Sequence, residues 1–191
     1  MKQHNFPIGR IKNCQICNST DLLDVINLGD QPLANSLLKN IEDDNKLEKY
    51  PVNIVRCNEC TLLQIDYIVD QEKVYHLDYP YLPGITKTVD NEQLDLSNYL
   101  YKELNLKEDQ LVVDIGSNDG SLLKHFKAKG LKTIGVEPTN ISKIANKNGI
   151  KTIQSFFNEE TSENIIKDFN KAKLITCTNV FAHMSTLGDV M

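Results

Sequence analysis

Two C-x-x-C pairs constrain this chain more than any other feature: Cys14 with Cys17, and Cys57 with Cys60. A C-x-x-C turn places two sulfurs close enough to share one ion. Two such turns complete a tetrahedral four-thiolate shell, the arrangement that suits a closed structural zinc site. Thirty-nine residues separate Cys17 from Cys57. That is longer than in a compact zinc finger, but the entropy of closing a loop grows only slowly with its length. The alternatives are four unrelated buried thiols or a redox pair. Two C-x-x-C repeats disfavour the first. A thioredoxin-like site carries one such motif at a helix start after a strand, whereas these two lie in a turn-rich segment. A filled four-thiolate shell has no open position for water, so the expected metal is structural rather than catalytic. Cys177 stands apart, in a predicted buried strand, and reads as a small core residue.

Composition narrows the setting. Charged residues make up 25% of the 191-residue chain and the net charge is −5, which disfavours a nucleic-acid partner because phosphate binding calls for a basic surface. No apolar run reaches the length of a membrane-spanning helix, and the first residues lack the apolar centre of a signal peptide. The expected compartment is the cytoplasm, with no membrane partner. Thiols stay reduced there, which again favours metal ligation over disulfides.

Residues 1–66 read as short strands and turns around the cysteines, too small to bury much apolar surface without a metal staple. Asp24–Leu28 alternates and is expected to end at Gly29, and Tyr50–Arg56 alternates into Cys57. Residues 67–105 read as a tyrosine-rich connection followed by one amphipathic helix over 86–104, with Val89, Gln93, Leu96, Leu100 and Leu104 at helical spacing. From 106 to 191 strands and helices alternate. Strands are expected at 111–115, 133–137, 150–154 and 173–177, and helices at 121–129, 141–148 (Ile144 and Ala145 inward) and 159–170 (Ile165, Ile166 and Phe169 inward). This alternation predicts an α/β fold with a parallel sheet and crossover helices.

The stretch Asp114-Ile115-Gly116-Ser117-Asn118-Asp119-Gly120 follows the first strand of that region. It lies at the carboxyl edge of the sheet, where open α/β folds bind ligands. Gly116 and Gly120 would let the backbone approach a ligand, and amides at the next helix start can face its polar groups. Glu137 ends the next strand, where a carboxylate can accept both hydroxyls of a ribose. The dinucleotide pattern G-x-G-x-x-G is absent, and D-x-G-x-x-x-G favours S-adenosylmethionine. A glycine-rich turn in an ordinary α/β core is the plainer alternative, and Asp119 could simply cap the helix that follows.

Taken together, the segments resemble sugar C-methyltransferases with an N-terminal zinc-binding domain, which act on keto nucleotide-sugars in deoxysugar biosynthesis. The resemblance rests on both C-x-x-C pairs, Leu28-Gly29-Asp30-Gln31-Pro32-Leu33-Ala34-Asn35, Tyr50-Pro51, Leu63-Gln64, Tyr79-Pro80-Tyr81, the Asp114–Gly120 loop, Gly135-Val136-Glu137-Pro138 and Asn179-Val180-Phe181-Ala182-His183. It implies a four-cysteine zinc module, a Rossmann-like methyltransferase core and a C-terminal domain. It implies proton abstraction beside a ketone and methyl transfer to that carbon, which needs a base and a stabilised enolate. Under it, Asp114, Gly116, Ser117, Asn118 and Gly120 line the cofactor and Glu137 its ribose, while Phe156 or Phe157 contacts adenine or else packs in the core. Asn179 lies at the ligand edge, and His183, Tyr79 and Tyr81 face the sugar, or else one of the two tyrosines packs between the zinc module and the core. Tyr75 and His76 receive no role.

Members of that family are about twice this length. The later strands, a downstream Glu-His segment carrying the general base, and the C-terminal domain are expected beyond residue 191, on the same chain or a complementary one. The expectation is an N-terminal fragment, inactive alone, with its fourth strand an unpaired edge. Two rivals stand beside it: a zinc-dependent partner-binding module with a vestigial Rossmann lobe, and a methyltransferase for a non-sugar substrate.

Overall fold

The computed structural model describes residues 7–34, 36, 38, 40, 46–75, 82–184, 186 and 187. The chain divides into two compact units, Met1–Val74 with Met184–Met191, and Tyr75–His183.

In the first unit, β1 (Gly9–Arg10) pairs antiparallel with β5 (Tyr67–Ile68), and β2 (Leu22–Pro32), β3 (Lys49–Cys57) and β4 (Leu63–Ile65) form an antiparallel sheet in that order. A single turn of helix, α1 (Gln71–Val74), follows. The strand expected to stop at Gly29 continues to Pro32. Gly29, at φ +71°, sits in a register shift between Asn27 and Asp30, and Asn27 Oδ1 accepts its N–H, so the glycine bulges the strand instead of ending it. The buried apolar residues described here are few: Ile11, Val55 and Ile68, with Cys14 and Cys57. Buried polar groups share that interior. Asn53 donates to Asp24 and Asp66, and Arg10 pairs with Asp66.

The second unit holds a four-stranded parallel sheet, β8-β7-β6-β9, made of β6 (Leu111–Ile115), β7 (Lys132–Val136), β8 (Thr152–Ile153) and β9 (Leu174–Thr176). Every residue of β6 is buried, as an apolar central strand covered on both faces requires. Helices α2 (Lys87–Glu103), α3 (Ser121–Lys127) and α4 (Ile141–Lys147) contribute to one core, built on Val112, Leu122, Leu123, Phe126, Ala145 and Ile150. Helix α5 (Glu159–Phe169) covers the other face, with Ile165 beside Leu111, Val113, Ile134 and Val136. Asp90 clamps α2 to α3, taking Lys124 Nζ at 2.6 Å and His125 Nε2 at 2.9 Å.

Two inward assignments change. Ile144 is 40% exposed and Ile141 takes its place beside Ala145; Ile166 points out while Ile165 and Phe169 pack inward. In each helix the pair four residues apart shares the buried stripe, and the adjacent residue is turned off it. The third strand is shorter than the predicted 150–154, and Asn146 holds its start by bonding both the N–H and the carbonyl of Thr152. Cys177 follows the end of β9 and is half-buried. No helix of the described residues is long and apolar enough to cross a membrane.

Candidate functional site

The four cysteines converge. All of their sulfurs lie within 4.8 Å of one another, with Cys14–Cys60 and Cys17–Cys57 each at 3.5 Å. Disulfides are excluded at those separations. A tetrahedral ion with sulfurs at about 2.3 Å would put them about 3.8 Å apart, inside the observed range. The two turns are built alike. Cys14 N–H donates to Ser19 O and Asn18 N–H to Cys14 O; Cys57 N–H donates to Leu62 O and Thr61 N–H to Cys57 O. The residue after each second cysteine, Asn18 or Thr61, has a left-handed backbone, at φ +61° and +63°.

The sulfurs also receive backbone amides. The Cys60 N–H lowers the Cys57 thiol to about 7, assisted by Cys17 and the Glu59 N–H against burial. Ser19 N–H bonds Cys17 and Leu62 N–H bonds Cys60 in equivalent positions, although burial and neighbouring sulfurs leave both of these thiols raised. Four thiols packed this closely cannot all ionise without a cation among them, so the chemistry of this donor set fits a thiophilic divalent ion.

In the second unit, the Asp114–Gly120 turn is fastened to the end of β7, and the residue after β7 is tied in turn to the end of β8. Gly116 N–H and Ser117 N–H both donate to Val136 O, and Glu137 N–H donates to Ile153 O. Gly116, Asn118 and Gly120 have φ of +68°, +50° and +78°. A Cβ on Gly120 would stand 2.8 Å from Ile150 Cγ2, and one on Gly116 would collide with Val180. Glycine is therefore required at both positions for conformation and for space.

Glu137 is 5% exposed and its two carboxylate oxygens are oriented separately. Asn118 N–H donates to Oε2 at 3.1 Å and Thr139 N–H donates to Oε1 at 2.9 Å. The acid expected at the strand end is thus joined directly to the glycine turn. Asp114 is more deeply placed. Burial pushes its carboxyl up to about 7; the Thr176 hydroxyl, donating to Oδ1 at 2.6 Å, opposes the rise and the Glu137 charge adds to it.

The remaining sequence candidates separate. The Ser117 side chain is buried over Gly135, where a Cβ would collide with its Oγ, and that Oγ has no hydrogen-bond partner among the described residues. Phe157 packs into the core beneath α5, whereas Phe156 is half-buried outside either cluster. Asn179, at φ +55°, and His183 are exposed, and His183 closes a short 3-10 turn (Phe181–His183) beyond β9. Tyr79, Tyr81 and His76 lie outside the described residues. Asp119 does bond the start of α3, accepting Ser121 N–H on Oδ1, and its Oδ2 accepts Gly84 N–H at 3.1 Å. Sequence reasoning missed Gly84, Thr139 and Thr176. Pro83-Gly84 has the sequence of any turn in a connecting segment, and no periodic pattern marks a backbone donor or a hydroxyl under a strand end.

Residues 14–75 match the family model described as "Putative zinc binding domain", and residues 89–191 match the model of a methyltransferase domain. The chain is similar to C-methyltransferase NovU of Streptomyces niveus, 29% identical over 182 residues, which cover 95% of this chain. It spans 43% of the length of that relative.

Proposed function

Since the chain belongs to the methyltransferase-domain family, we propose that it carries the structural zinc module and the cofactor half of an S-adenosylmethionine-dependent C-methyltransferase acting on a keto nucleotide-sugar. The observation that carries this reading is Glu137. Its carboxylate is held at the glycine turn by two backbone amides, one from the turn itself and one from residue 139. Each oxygen keeps acceptor capacity for a further donor, which matches the two hydroxyls of a ribose.

The residues present fit that cofactor. Glu137 sets a carboxyl group directly at the turn between Gly116 and Gly120, a setting that suits a ligand bearing hydroxyl donors. Bound there, S-adenosylmethionine would supply an electrophilic methyl group. The chain's own part is to hold the nucleoside through Glu137, let the backbone of residues 116–120 approach it, and present Asn179 and His183 beyond β9. His183 would hydrogen-bond the sugar or its developing enolate oxygen. Phe156 is the aromatic free to meet adenine, since Phe157 serves the core. Tyr79 and Tyr81 are assigned to the sugar by the resemblance. No general base is assigned among residues 1–191. The cysteine shell would hold Zn2+ with no open coordination position, in a structural role. A cytoplasmic setting and a place in deoxysugar biosynthesis belong to the same proposal and rest on composition and the family resemblance; the name of the relative supports methyl transfer to carbon.

The test is transfer of an isotopically labelled methyl group. Protein expressed from the intact reading frame, given S-[methyl-13C]adenosylmethionine and a panel of nucleotide-linked keto sugars, should yield carbon-bound 13C-methyl in a sugar. Methyl on oxygen or nitrogen, or no turnover with any keto sugar while S-adenosylhomocysteine still binds, would reject the sugar reading and leave the cofactor reading intact.

A further inference from the structure

Asp119 uses both carboxylate oxygens, and it uses them on different elements. Oδ1 accepts the Ser121 N–H at 3.1 Å at the start of α3, and Oδ2 accepts the Gly84 N–H at 3.1 Å. Gly84 belongs to a short 3-10 turn, Pro83–Ile85, that leads into α2. The approach is tight: a Cβ at Gly84 would collide with Asp119 Oδ2 and stand 3.4 Å from Ser121 Cβ. Gly84 does not have a positive φ, so its small size rather than its conformational freedom is what the contact needs.

The bond is not needed to hold α2. Thr86 Oγ1 accepts the Val89 N–H at the helix start, and Asp90 already ties α2 to α3 through Lys124 and His125. Gly84 and Ile85 are exposed, Ile85 by 73%, so packing does not fix this turn. What the bond adds is a direct tie between the ligand turn and the segment that precedes α2. Gly84 also lies three residues after Tyr81 in the sequence.

We propose that Asp119 is a positioning residue whose carboxylate fastens the 82–86 segment to the glycine turn, so that ligand binding at the turn and ordering of that segment are coupled. The inference rests on the cofactor reading above. Asp119 does not itself meet the cofactor in this scheme. It sets where the backbone of residues 82–86 stands as a wall of the ligand site, and a ligand that orders residues 116–120 orders that wall with them.

Two substitutions break the same bond from opposite sides. Asp119→Ala removes the acceptor, and Gly84→Ala displaces Oδ2 without a forbidden backbone angle. Amide exchange by NMR on the whole 191-residue chain, with and without S-adenosylhomocysteine, reads the outcome. In the wild type, ligand should slow exchange at Gly84 at least tenfold. In Asp119→Ala that slowing should vanish while Lys124, whose N–H bonds Gly120 O, stays protected. Asp119→Asn, which keeps an amide oxygen, should restore part of it. Calorimetry should show about fivefold weaker S-adenosylhomocysteine binding in each single alanine variant and no further loss in the double. Unchanged Gly84 exchange in Asp119→Ala, or losses that add in the double variant, overturns the positioning role while the cofactor reading stands. No S-adenosylhomocysteine binding by the wild type overturns the cofactor reading and this inference with it.

Discussion

Removing the metal should unfold the first unit and spare the second. Described buried apolar residues in the first unit come down to Ile11, Val55 and Ile68 besides two of the cysteines. Full burial of an aliphatic side chain contributes about 1.5–3 kcal/mol, so these three supply less than about 10 kcal/mol. A structural zinc ion in a four-ligand site contributes about 10–16 kcal/mol of apparent binding energy at neutral pH. The ion is therefore the largest single stabilising element available to this unit. The second unit has two cores on a covered sheet and needs none. Titrating a strong chelator into reduced protein, followed by amide-resolved NMR, should collapse signals of residues 9–68 in step with zinc release and leave those of residues 111–169 dispersed. Cys57→Ser should reproduce the effect without chelator. The reasoning is refuted if zinc-free protein keeps a dispersed first unit, or if both units lose their signals together.

Two further outcomes follow from local geometry. Thr61 is β-branched yet holds φ +63°, while Asn18 occupies the same place in the other cysteine turn; Thr61→Asn should raise the stability of the zinc-loaded protein by about 1 kcal/mol, the strain of a left-handed residue, and an unchanged or lower melting temperature would contradict this. Asp114 has a folded pKa raised from 3.8 to about 7. Between those values the folded state holds the proton more tightly than the unfolded chain, so stability should fall as pH rises from about 4 to 7 and level off above, by at most roughly 4 kcal/mol over the whole span. Asp114→Asn should flatten that slope in denaturant titrations, and an identical slope in the variant would contradict the assignment.

The elements most legible in the sequence were those set by local pattern. The spacing of Cys14, Cys17, Cys57 and Cys60 announces one shared site because chelation geometry is short-range and residue-specific. The apolar run 111–115 announces a central strand because only a doubly covered strand is apolar at nearly every position. Glu137 was readable from its place at a strand end. Less visible was what depends on partners distant in sequence. Gly29 looks like a strand terminus until its bulge against β3 is seen. Ile144 and Ile166 cannot be told from their neighbours by periodicity alone, since adjacent apolar residues both satisfy a loose helical stripe. Gly84 has no signal at all, because its meaning lies in a carboxylate thirty-five residues away. For Ser117 the resemblance implies a place along the cofactor, and its side chain is folded under the turn against Gly135.

The central claim is that Glu137 and the glycine turn hold an adenosyl ligand. Isothermal calorimetry of the wild type and Glu137→Ala with S-adenosylhomocysteine tests it most directly. Two hydrogen bonds to a charged acceptor, at about 1.5 kcal/mol or more each, predict one site per chain and at least about 100-fold weaker binding in the variant. Equal affinity in both proteins, or no binding to the wild type, would contradict the account.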